Sequence, residues 1–349
     1  MKKTDIILKA VMVAIMVLIC QTGRSQHVGW EVNAQGFFDN SEGDHHYRVA
    51  DTYSGFRIEP QLNISTNDNK HQLVGGYDAL LESGAHQSFD GNRLLAYYQY
   101  DTEQLRILMG KYPRRLQQEE MEDYLLCDSL KYYRPYMTGF DFLYRHTSGY
   151  FEAFLDWTAK RTETVREQFM AGILTRFNQG PFFWGLNGYY YHWANELHGS
   201  AMGHSPHDNL LAHPYIGISR QNPWLIDSLE VRTGLLVQCD RDRATDHKWH
   251  VLPGFLGEAE AYWKRFGVKQ LLYLGKRQQY YGQDGFGQYY WGDTYYRSPY
   301  YWRSDLSYMI VSDQHVKLKF GLVFHLSDHG LHYHQMLTLS ANIGQEKKK

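Results

Sequence analysis

The sequence predicts an all-β fold, a closed antiparallel transmembrane β-barrel, from three observations. Apolar and polar side chains alternate over segments of roughly 9–12 residues, the length that a tilted strand needs to cross a bilayer. The segments are joined alternately by short and long connections. The chain contains 29 Tyr, 17 Phe and 9 Trp at a mean hydropathy of −0.55. This composition is typical of barrels that carry aromatic girdles at the two membrane interfaces.

The first 25 residues have the layout of a cleaved secretory signal peptide. Basic residues at 2–9 precede an apolar run over 10–20, and small residues precede a cleavage point after Ser25. The apolar run is shorter than the roughly 20 residues of a membrane-spanning helix. We therefore expect a signal peptide over 1–25, a barrel over 26–343 and a basic tail over 344–349.

The strands are predicted from strict alternation. In residues 56–65 every second side chain from Phe56 to Ile64 is apolar, and the side chains between them are polar. Successive side chains of a strand face opposite sides, so one face meets lipid and the other meets the lumen. We predict about 16 strands, with 14 or 18 as alternatives, near 28–38, 54–65, 71–82, 92–101, 104–112, 138–146, 150–158, 166–177, 182–193, 213–220, 227–238, 253–263, 268–277, 300–311, 315–325 and 331–343.

The connections provide an independent test. If the first strand starts in the periplasm, every second connection is a periplasmic turn, and most of these are short and rich in Asn, Gly, Asp and Ser. Short periplasmic turns and long extracellular loops are the asymmetry of outer-membrane barrels. A soluble sandwich or propeller does not require it, and no blade repeat is found. The connections on the other side are mostly long: 39–53, 113–137, 194–212, 239–252 and 278–299.

Charge and cysteine content exclude several classes of protein. The net charge of −2 provides no basic field for nucleic acid, and no apolar stretch after the signal peptide is long enough for a helical bundle. A lipoprotein anchored through Cys20 is disfavoured by the large Ile19 beside it. Cys127 and Cys239 then remain, either bridged or free. No nucleotide fingerprint or paired CxxC is present, so we expect no cofactor.

Taken together, the signal peptide, the alternating strands, the loop asymmetry and the terminal strand at 332–343 resemble the porin-like outer-membrane β-barrels of Gram-negative bacteria. Gln26 as the first mature residue is similar to exported proteins of the Bacteroidota. One departure is the C-terminus, where such barrels usually close on an aromatic residue and this chain has Ile343. The resemblance implies an integral outer-membrane protein in contact with lipid, and a channel for small polar solutes such as sugars.

The polar face of the strands supplies the candidate lumen lining, and a barrel of about 16 strands is wide enough for an aqueous channel. The charges either line a wet pore and screen solutes with a transverse field, or pair across the lumen and close it. The candidate lining residues are Glu31, Arg57, Glu59, Asp78, Arg106, Asp141, Arg145, Glu152, Asp156, Arg166, Glu258, Glu260, Arg303, Asp305, Lys317 and Lys319.

Two long loops are candidates for closing the lumen or for binding a partner. The charged loop 113–137 is the candidate constriction loop, and deleting 116–130 should then raise conductance. The loop 278–302 is aromatic and rich in glycine. It forms a cap and part of the outer girdle, or it presents a surface for a glycan or a protein partner, with the candidate residues Tyr289, Tyr290, Trp291, Tyr295 and Tyr296.

Other polar clusters give weaker signals. His204 and His207 are weak metal candidates, because no second pair of ligands accompanies them. The sequence shows no Ser–His motif of a lipid-facing phospholipase, and we expect no enzymatic activity. The alternatives to a channel are a partner-binding barrel subunit of a larger outer-membrane complex and a surface rim hydrolase. The candidate residues of that hydrolase are Asp240, Asp242, Asp246, His247 and His250.

Overall fold

A computed structural model describes residues 26–42, 46–85, 93–197, 206–223, 225–244, 247–282 and 289–344. Sixteen antiparallel strands form one closed barrel within these residues. The strands are β1 (Gln26–Glu42), β2 (Thr52–Thr66), β3 (His71–Glu82), β4 (Arg93–Asp101), β5 (Leu105–Pro113), β6 (Tyr136–His146), β7 (Gly149–Ala159), β8 (Gln168–Gln179), β9 (Phe182–Trp193), β10 (His207–Gln221), β11 (Ser228–Asp242), β12 (His250–Trp263), β13 (Phe266–Gly275), β14 (Tyr300–Ser312), β15 (Val316–Ser327) and β16 (Gly330–Gly344).

The first and last strands close the barrel. Glu31 pairs with Gly344 and Glu42 pairs with Tyr333, so β1 and β16 are bonded along most of their length. A closed barrel pairs every backbone group that faces lipid and leaves no free edge. The predicted fold class and the count of 16 are confirmed, and both described ends lie on the side of the short turns. The predicted signal peptide (1–25) and residues 345–349 lie outside the described residues.

Alternation along β10 shows which face meets lipid. Ile216 points outward with 64% of its surface exposed, whereas Leu211 points inward and is 4% exposed. β-Branched and aromatic residues suit a pleated surface that is packed on one side. The outer wall is therefore an apolar belt, and the polar side chains of the strands face the lumen. Within the described residues, no helix is long and apolar enough to span a membrane.

Several strands extend further at the extracellular end than the sequence pattern predicted. The predicted loop 194–212 includes the start of β10 at His207. The predicted loop 239–252 includes the end of β11 and the start of β12. Above the lipid boundary both faces of a strand are polar, so alternation no longer identifies it. At one strand the structure is shorter than the prediction. The predicted strand 166–177 begins only at Gln168, so Arg166 lies in the loop before β8.

Two loops fold into the extracellular half of the barrel. The inner loop (residues 114–135) contains a 3-10 turn at Arg114–Leu116 and the helix α1 (Asp128–Tyr133). The capping loop (residues 276–299, described over 276–282 and 289–299) contains 3-10 turns at Tyr280–Gly282 and Thr294–Arg297. We call the two loops together the plug.

The two loops of the plug are bonded to each other through backbone groups. The amide of Cys127 donates to the carbonyl of Trp291 at 2.7 Å, and the amide of Asp293 donates to the carbonyl of Asp123 at 2.8 Å. A Cβ at Gly292 would lie 2.1 Å from the carbonyl oxygen of Tyr124, so this approach requires glycine. The capping loop therefore rests directly on the inner loop.

Candidate functional site

The candidate lumen charges lie inside the barrel, and several of them pair along the wall. Arg57 of β2 binds Asp78 of β3 at 2.8 Å. Arg106 of β5 lies 2.6 Å from Glu152 and 3.4 Å from Asp141. These side chains are buried together and do not face open water, and the single guanidinium of Arg106 is shared by two carboxylates.

A second group of the wall charges binds the inner loop. Glu59 accepts hydrogen bonds from Arg115 and from the hydroxyl of Tyr136. Asp156 accepts from Arg114 and from the backbone amide of Thr138. Two arginines at the start of the inner loop are thereby tied to two different strands of the wall, Arg115 to β2 and Arg114 to β7.

The middle of the inner loop is held by Glu122. Arg232 of β11 forms a bidentate pair with Glu258 of β12 and also binds Glu122. Lys269 of β13 binds the second oxygen of Glu122 at 2.9 Å. Glu122 of the loop and Glu258 of the wall together neutralise the two cations Arg232 and Lys269.

Replacing Glu122 by glutamine should destabilise the folded barrel by about 2–4 kcal/mol, because Arg232 and Lys269 would stay buried with one carboxylate fewer. Urea unfolding of the refolded barrel, followed by tryptophan fluorescence, measures this change. The matched control is Glu103→Gln in an exposed periplasmic turn, which should leave the curve unchanged. Equal unfolding midpoints for the two variants would contradict the role given to Glu122.

The sign of the pH dependence follows from the same contacts. Burial raises the pKa of Glu122, but the attraction of Arg232 and Lys269 lowers it by more than burial raises it. The pKa of the folded protein therefore lies below the ordinary value of a glutamate. The carboxylate contributes fully to the stability of the folded barrel at a pH above the pKa of an unfolded glutamate. This contribution is lost as the pH falls through the pKa of Glu122 in the folded protein. The difference between the wild type and Glu122→Gln should therefore persist at about pH 5 and shrink only in stronger acid.

Arg303 holds the end of the inner loop. It forms a bidentate pair with Asp305 on its own strand, at 2.7 and 2.9 Å. It also reaches Asp128 at 3.0 Å and Asp123 at 3.3 Å. Asp293 of the capping loop lies 3.9 Å from the same guanidinium, and burial raises its pKa to about 6.

The remaining lining candidates are less constrained. Glu31 accepts from Asn342 at 2.7 Å, and Arg145 binds Asp101 at 3.0 Å. Arg166 lies at the extracellular rim and donates to the carbonyl of Ala194 at 2.9 Å. Three other candidates lie nearer the periplasmic mouth. Glu260 accepts from Tyr262, and Lys317 and Lys319 are exposed and form no ion pair with the described residues.

In the described part of the aromatic loop, the candidate side chains pack as a cap, which is one of the two alternatives that the sequence left open. Tyr290 and Trp291 are buried, and Tyr295 and Tyr296 are at most 2% exposed. The hydroxyl of Tyr290 donates to Asp240 at 2.8 Å, so its polar end is satisfied inside the lumen. Tyr289 stacks on His207. These residues form a cap, so their aromatic side chains no longer argue for a partner-binding barrel subunit.

The weaker predicted sites do not assemble. His204 and Asp246 lie outside the described residues, and His207 is fully buried. No group of three metal-ligating side chains is found in the described part of the chain. His250 stacks on Tyr280, with ring centroids 3.8 Å apart. Cys127 and Cys239 are free thiols.

A polar cluster interrupts the apolar outer wall at the extracellular ends of β9, β10 and β11. Asp208 is directly opposite His192 of β9 and Arg241 of β11 in the strand register. Like Leu210 two residues away, which is 41% exposed, Asp208 is on the outward face of β10. We call Tyr190, His192, Asp208, Arg241 and Arg243 the rim cluster.

Asp208 is the centre of the rim cluster. It accepts hydrogen bonds from Arg241 at 2.6 Å, from Arg243 at 2.8 Å and from the hydroxyl of Tyr190 at 2.7 Å. Its carboxylate is fully covered, whereas 42% of the Arg243 side chain is exposed. Two guanidinium groups outnumber one carboxylate, so the cluster presents positive charge outward.

The carboxylate also orients His192. Nδ1 of His192 lies 2.8 Å from Asp208, and because a carboxylate only accepts, the proton is on Nδ1. Nε2 therefore carries the lone pair, and it makes no hydrogen bond with the described residues. A histidine that a buried carboxylate orients in this way is the general base of many hydrolases.

The rim cluster lies at the boundary between acyl chains and headgroups. Five outward residues of β10, from Leu210 to Ile218, separate Asp208 from Arg220. At a rise of about 3.3 Å per residue and a tilt of about 40°, the span from Asp208 to Arg220 covers roughly 30 Å of the membrane normal, the thickness of the hydrocarbon core. Trp249 stacks against Arg241 at 4.5 Å just above this belt, as interfacial tryptophans do.

Sequence reasoning missed the rim cluster. The sequence pattern places residues 207–212 in the loop 194–212, so it does not put Asp208 on the outward face of a strand. The available signal is position alone, because Asp208 stands two residues before Leu210 and a strand that continues upward places both on one face. The pairing with His192 and Arg241 depends on strand register, which one sequence does not reveal.

The fold is shared with outer-membrane proteins of known structure. The loop L8 deletion mutant of OmpT of Vibrio cholerae has a TM-score of 0.55 at 8% identity, over 91% of this chain and 99% of that one. OprD of Pseudomonas aeruginosa has a TM-score of 0.54 at 8% sequence identity, over 92% of this chain and 96% of that one. OccK2 (OpdF) of the same organism, solved with glucuronate, has 0.50 at 10%, over 91% and 98%. This chain is an integral outer-membrane barrel of porin-like architecture.

A family model gives the second finding. The model described as lipid A 3'-O-deacylase-type matches residues 20–346, which is nearly the whole chain. No curated protein matches the chain at a significant level.

Proposed function

Because the chain belongs to the lipid A 3'-O-deacylase-type family, we propose that it hydrolyses an acyl ester of lipid A in the outer leaflet, with the rim cluster as its active site. This membership corrects the expectation of no enzymatic activity, since the family is named for an enzyme. The observation that carries the proposal is the His192–Asp208 pair on the lipid-facing wall, at the level of the ester bonds.

The placement of the site follows from how the substrate is held. Lipid A is anchored by its acyl chains, so it reaches the barrel sideways, along the outer wall. The plug fills the extracellular half of the lumen with ion pairs to the wall, and an acyl chain has no route through it. The candidate hydrolase residues at Asp240 and His250 fit less well, because Asp240 is buried among capping-loop contacts.

The geometry supports a hydrolysis with water as the nucleophile. Nε2 of His192 takes a proton from water, and the water oxygen attacks the ester carbonyl. Arg243, the more exposed guanidinium, stabilises the negative charge on the carbonyl oxygen. The bond to the sugar oxygen then breaks, and His192 returns its proton to that oxygen. The products are a free fatty acid and a lipid with one free hydroxyl group.

Mass spectrometry tests the activity directly. Purified protein in detergent is incubated with lipid A, and we expect the loss of one acyl group and the appearance of an equal amount of free hydroxy fatty acid. Fragmentation of the product shows whether the ester was at the 3' position. Lipid A that stays intact with folded protein, in preparations where a known deacylase is active, would refute the proposal.

A channel for small polar solutes such as sugars is the second candidate function. It is favoured by two polar cavities on the periplasmic side of the inner loop, of about 700 and 240 Å³. OccK2, which shares this fold, is solved in complex with glucuronate, and this supports the candidate. Passage through this chain would require the plug to move, because its loops are bonded to the wall and to each other.

A further inference from the structure

The outward side chains around Asp208 form one row across five neighbouring strands, β7 to β11. In the strand register Asp208 is opposite His192 of β9 on one side and Arg241 of β11 on the other. Beyond His192 the row continues to Phe169 of β8 and then to Trp157 of β7. The two ends of the row therefore differ, because His192 is next to aromatic rings and Arg241 carries positive charge.

The aromatic end of the row suits the acyl part of a lipid. Trp157 is 42% exposed on the outer wall, and its ring is 5.4 Å from that of Phe169. Phe169 in turn packs against the imidazole of His192 at 5.3 Å. Aromatic side chains in this position contact both acyl chains and headgroups. An acyl group that lies along these rings has its ester next to His192.

Arg241 is bound to Asp208 through one edge of its guanidinium group. Its Nε and Nη2 both donate to one carboxylate oxygen, at 3.0 and 2.6 Å. Nη1 points away from that carboxylate, and it makes no hydrogen bond with the described residues. The side chain is 26% exposed, and Nη1 is not among the enclosed polar atoms of the wall. Two N–H groups of Arg241 are therefore open to a ligand.

The ion pairs of the rim cluster leave one positive charge in excess. Asp208 is the carboxylate that both Arg241 and Arg243 bind. Asp242 lies between the two arginines in the sequence, but successive side chains of a strand face opposite sides. In the register Asp242 is opposite His207, which is buried inside the barrel. Its charge is therefore on the lumen side of the wall, and the excess on the outer wall is positive.

The open end of Arg241 is at the level of the lipid headgroups. Trp249 stacks on this guanidinium at 4.5 Å and is 43% exposed, and tryptophan is enriched at the membrane interface. Phosphate is the anion that lipids carry at this level. A guanidinium group binds phosphate well, because its N–H groups match the spacing of two phosphate oxygens. Arg241 therefore fits a phosphate group of the lipid that also contacts His192.

The chemistry of lipid A then indicates which phosphate this is. The 3' acyl ester and the 4' phosphate are carried by adjacent carbons of one sugar ring, whereas the 1 phosphate is on the other ring. One carboxylate holds His192 at one oxygen and Arg241 at the other, so the imidazole and the guanidinium are side by side. They match two groups on adjacent carbons and not two groups on different rings.

We propose that Arg241 binds the 4' phosphate of lipid A and thereby selects lipids that carry it. The inference rests on the proposed hydrolysis for the identity of the lipid, and it names what the same site recognises. The phosphate binds Nη1 of Arg241, the acyl chain lies along Phe169 and Trp157, and the 3' ester is held against Nε2 of His192. Arg243 remains at the carbonyl oxygen of the ester.

Native mass spectrometry of the folded protein in detergent tests this selectivity with two isomers of monophosphoryl lipid A. The isomers have the same acyl chains and the same charge, and one carries the 4' phosphate and the other the 1 phosphate. His192→Gln is titrated separately with each, so that no lipid is hydrolysed. The 4' isomer should bind about tenfold more tightly, because only its phosphate reaches Arg241. Inorganic phosphate at the same concentration should not compete, since it has no acyl chains.

Three further variants in the His192→Gln background assign the preference to Arg241. Arg241→Gln should bind the two isomers equally. Arg241→Lys keeps a cation beside Asp208 and protects the fold, but it should also lose the preference, because one nitrogen cannot serve both the carboxylate and the phosphate. The matched control Arg220→Gln removes a cation at the periplasmic end of β10 and should keep the preference.

The binding measurement does not depend on hydrolysis, so the two proposals fail separately. Intact lipid A together with a preserved preference for the 4' isomer would refute the hydrolysis and support the phosphate site. Hydrolysis together with equal affinity for the two isomers would support the reaction and overturn this inference. A preference that Arg241→Gln retains, or competition by inorganic phosphate, would also overturn it.

Discussion

Replacing His192 by glutamine should lower the rate of ester hydrolysis by roughly 10²–10⁴-fold, the usual contribution of a general base. Glutamine keeps a polar side chain of similar reach, but it cannot take a proton from water. The pairing of Asp208 with Arg241 and Arg243 does not depend on His192, so the barrel should fold normally. The rate of fatty acid release from lipid A by refolded protein measures the effect.

The chain offers a matched control for this variant. His71 is also an exposed histidine, at the periplasmic end of β3, and its Nδ1 lies 2.7 Å from the hydroxyl of Tyr98. His71→Gln makes the same chemical change at the opposite end of the barrel and should leave the rate unchanged. If His192→Gln retained the full rate, or if both variants lost it equally, the rim cluster would not be the active site.

The fold was predictable because lipid imposes a simple rule on each strand. A residue such as Ile216 must be apolar since it faces acyl chains, and its neighbour Tyr215 faces the lumen. The rule holds over the height of the membrane, and it identified all 16 strands. It fails above the membrane, where water meets both faces, and there the start of β10 at His207 was missed.

The candidate sites were less predictable because they depend on contacts between distant residues. Tyr290 appeared exposed in the sequence because it lies in a polar, glycine-rich stretch. Its burial depends on Asp240, 50 positions earlier, which accepts its hydroxyl. The rim cluster likewise depends on register, because a shift of one residue would turn Asp208 into the lumen.

Deleting residues 116–130 should turn a closed barrel into a conducting one. The segment carries Glu122, Asp123 and Asp128, whose partners are the wall cations Arg232, Lys269 and Arg303. Without it the capping loop also loses the backbone bond to Cys127. In planar bilayers the unmodified protein should show no conductance steps, and the deletion variant should show steps of porin size.

A second variant separates the ion pairs from the bulk of the loop. Replacing 116–130 by a Gly-Ser segment of equal length keeps the chain length but removes every charged anchor. If ion pairs hold the plug shut, this variant should also conduct, although less steadily than the deletion. If only the deletion conducts, the volume of the loop closes the lumen. Silence from both variants, in protein shown to be folded and inserted, would refute the channel as a latent function of this barrel.

The same deletion also tests whether the two proposed functions are independent. The rim cluster is on the outer wall, and its contacts are with β9, β10, β11 and the residues that follow β11. Deleting 116–130 should therefore leave ester hydrolysis within about twofold of the wild-type rate, since it touches none of the groups that act on the ester. A large loss of hydrolysis would mean that the plug sets the geometry of the outer wall. Contacts between the plug and the inner wall would then be needed to hold the rim cluster in its active geometry on the outer wall.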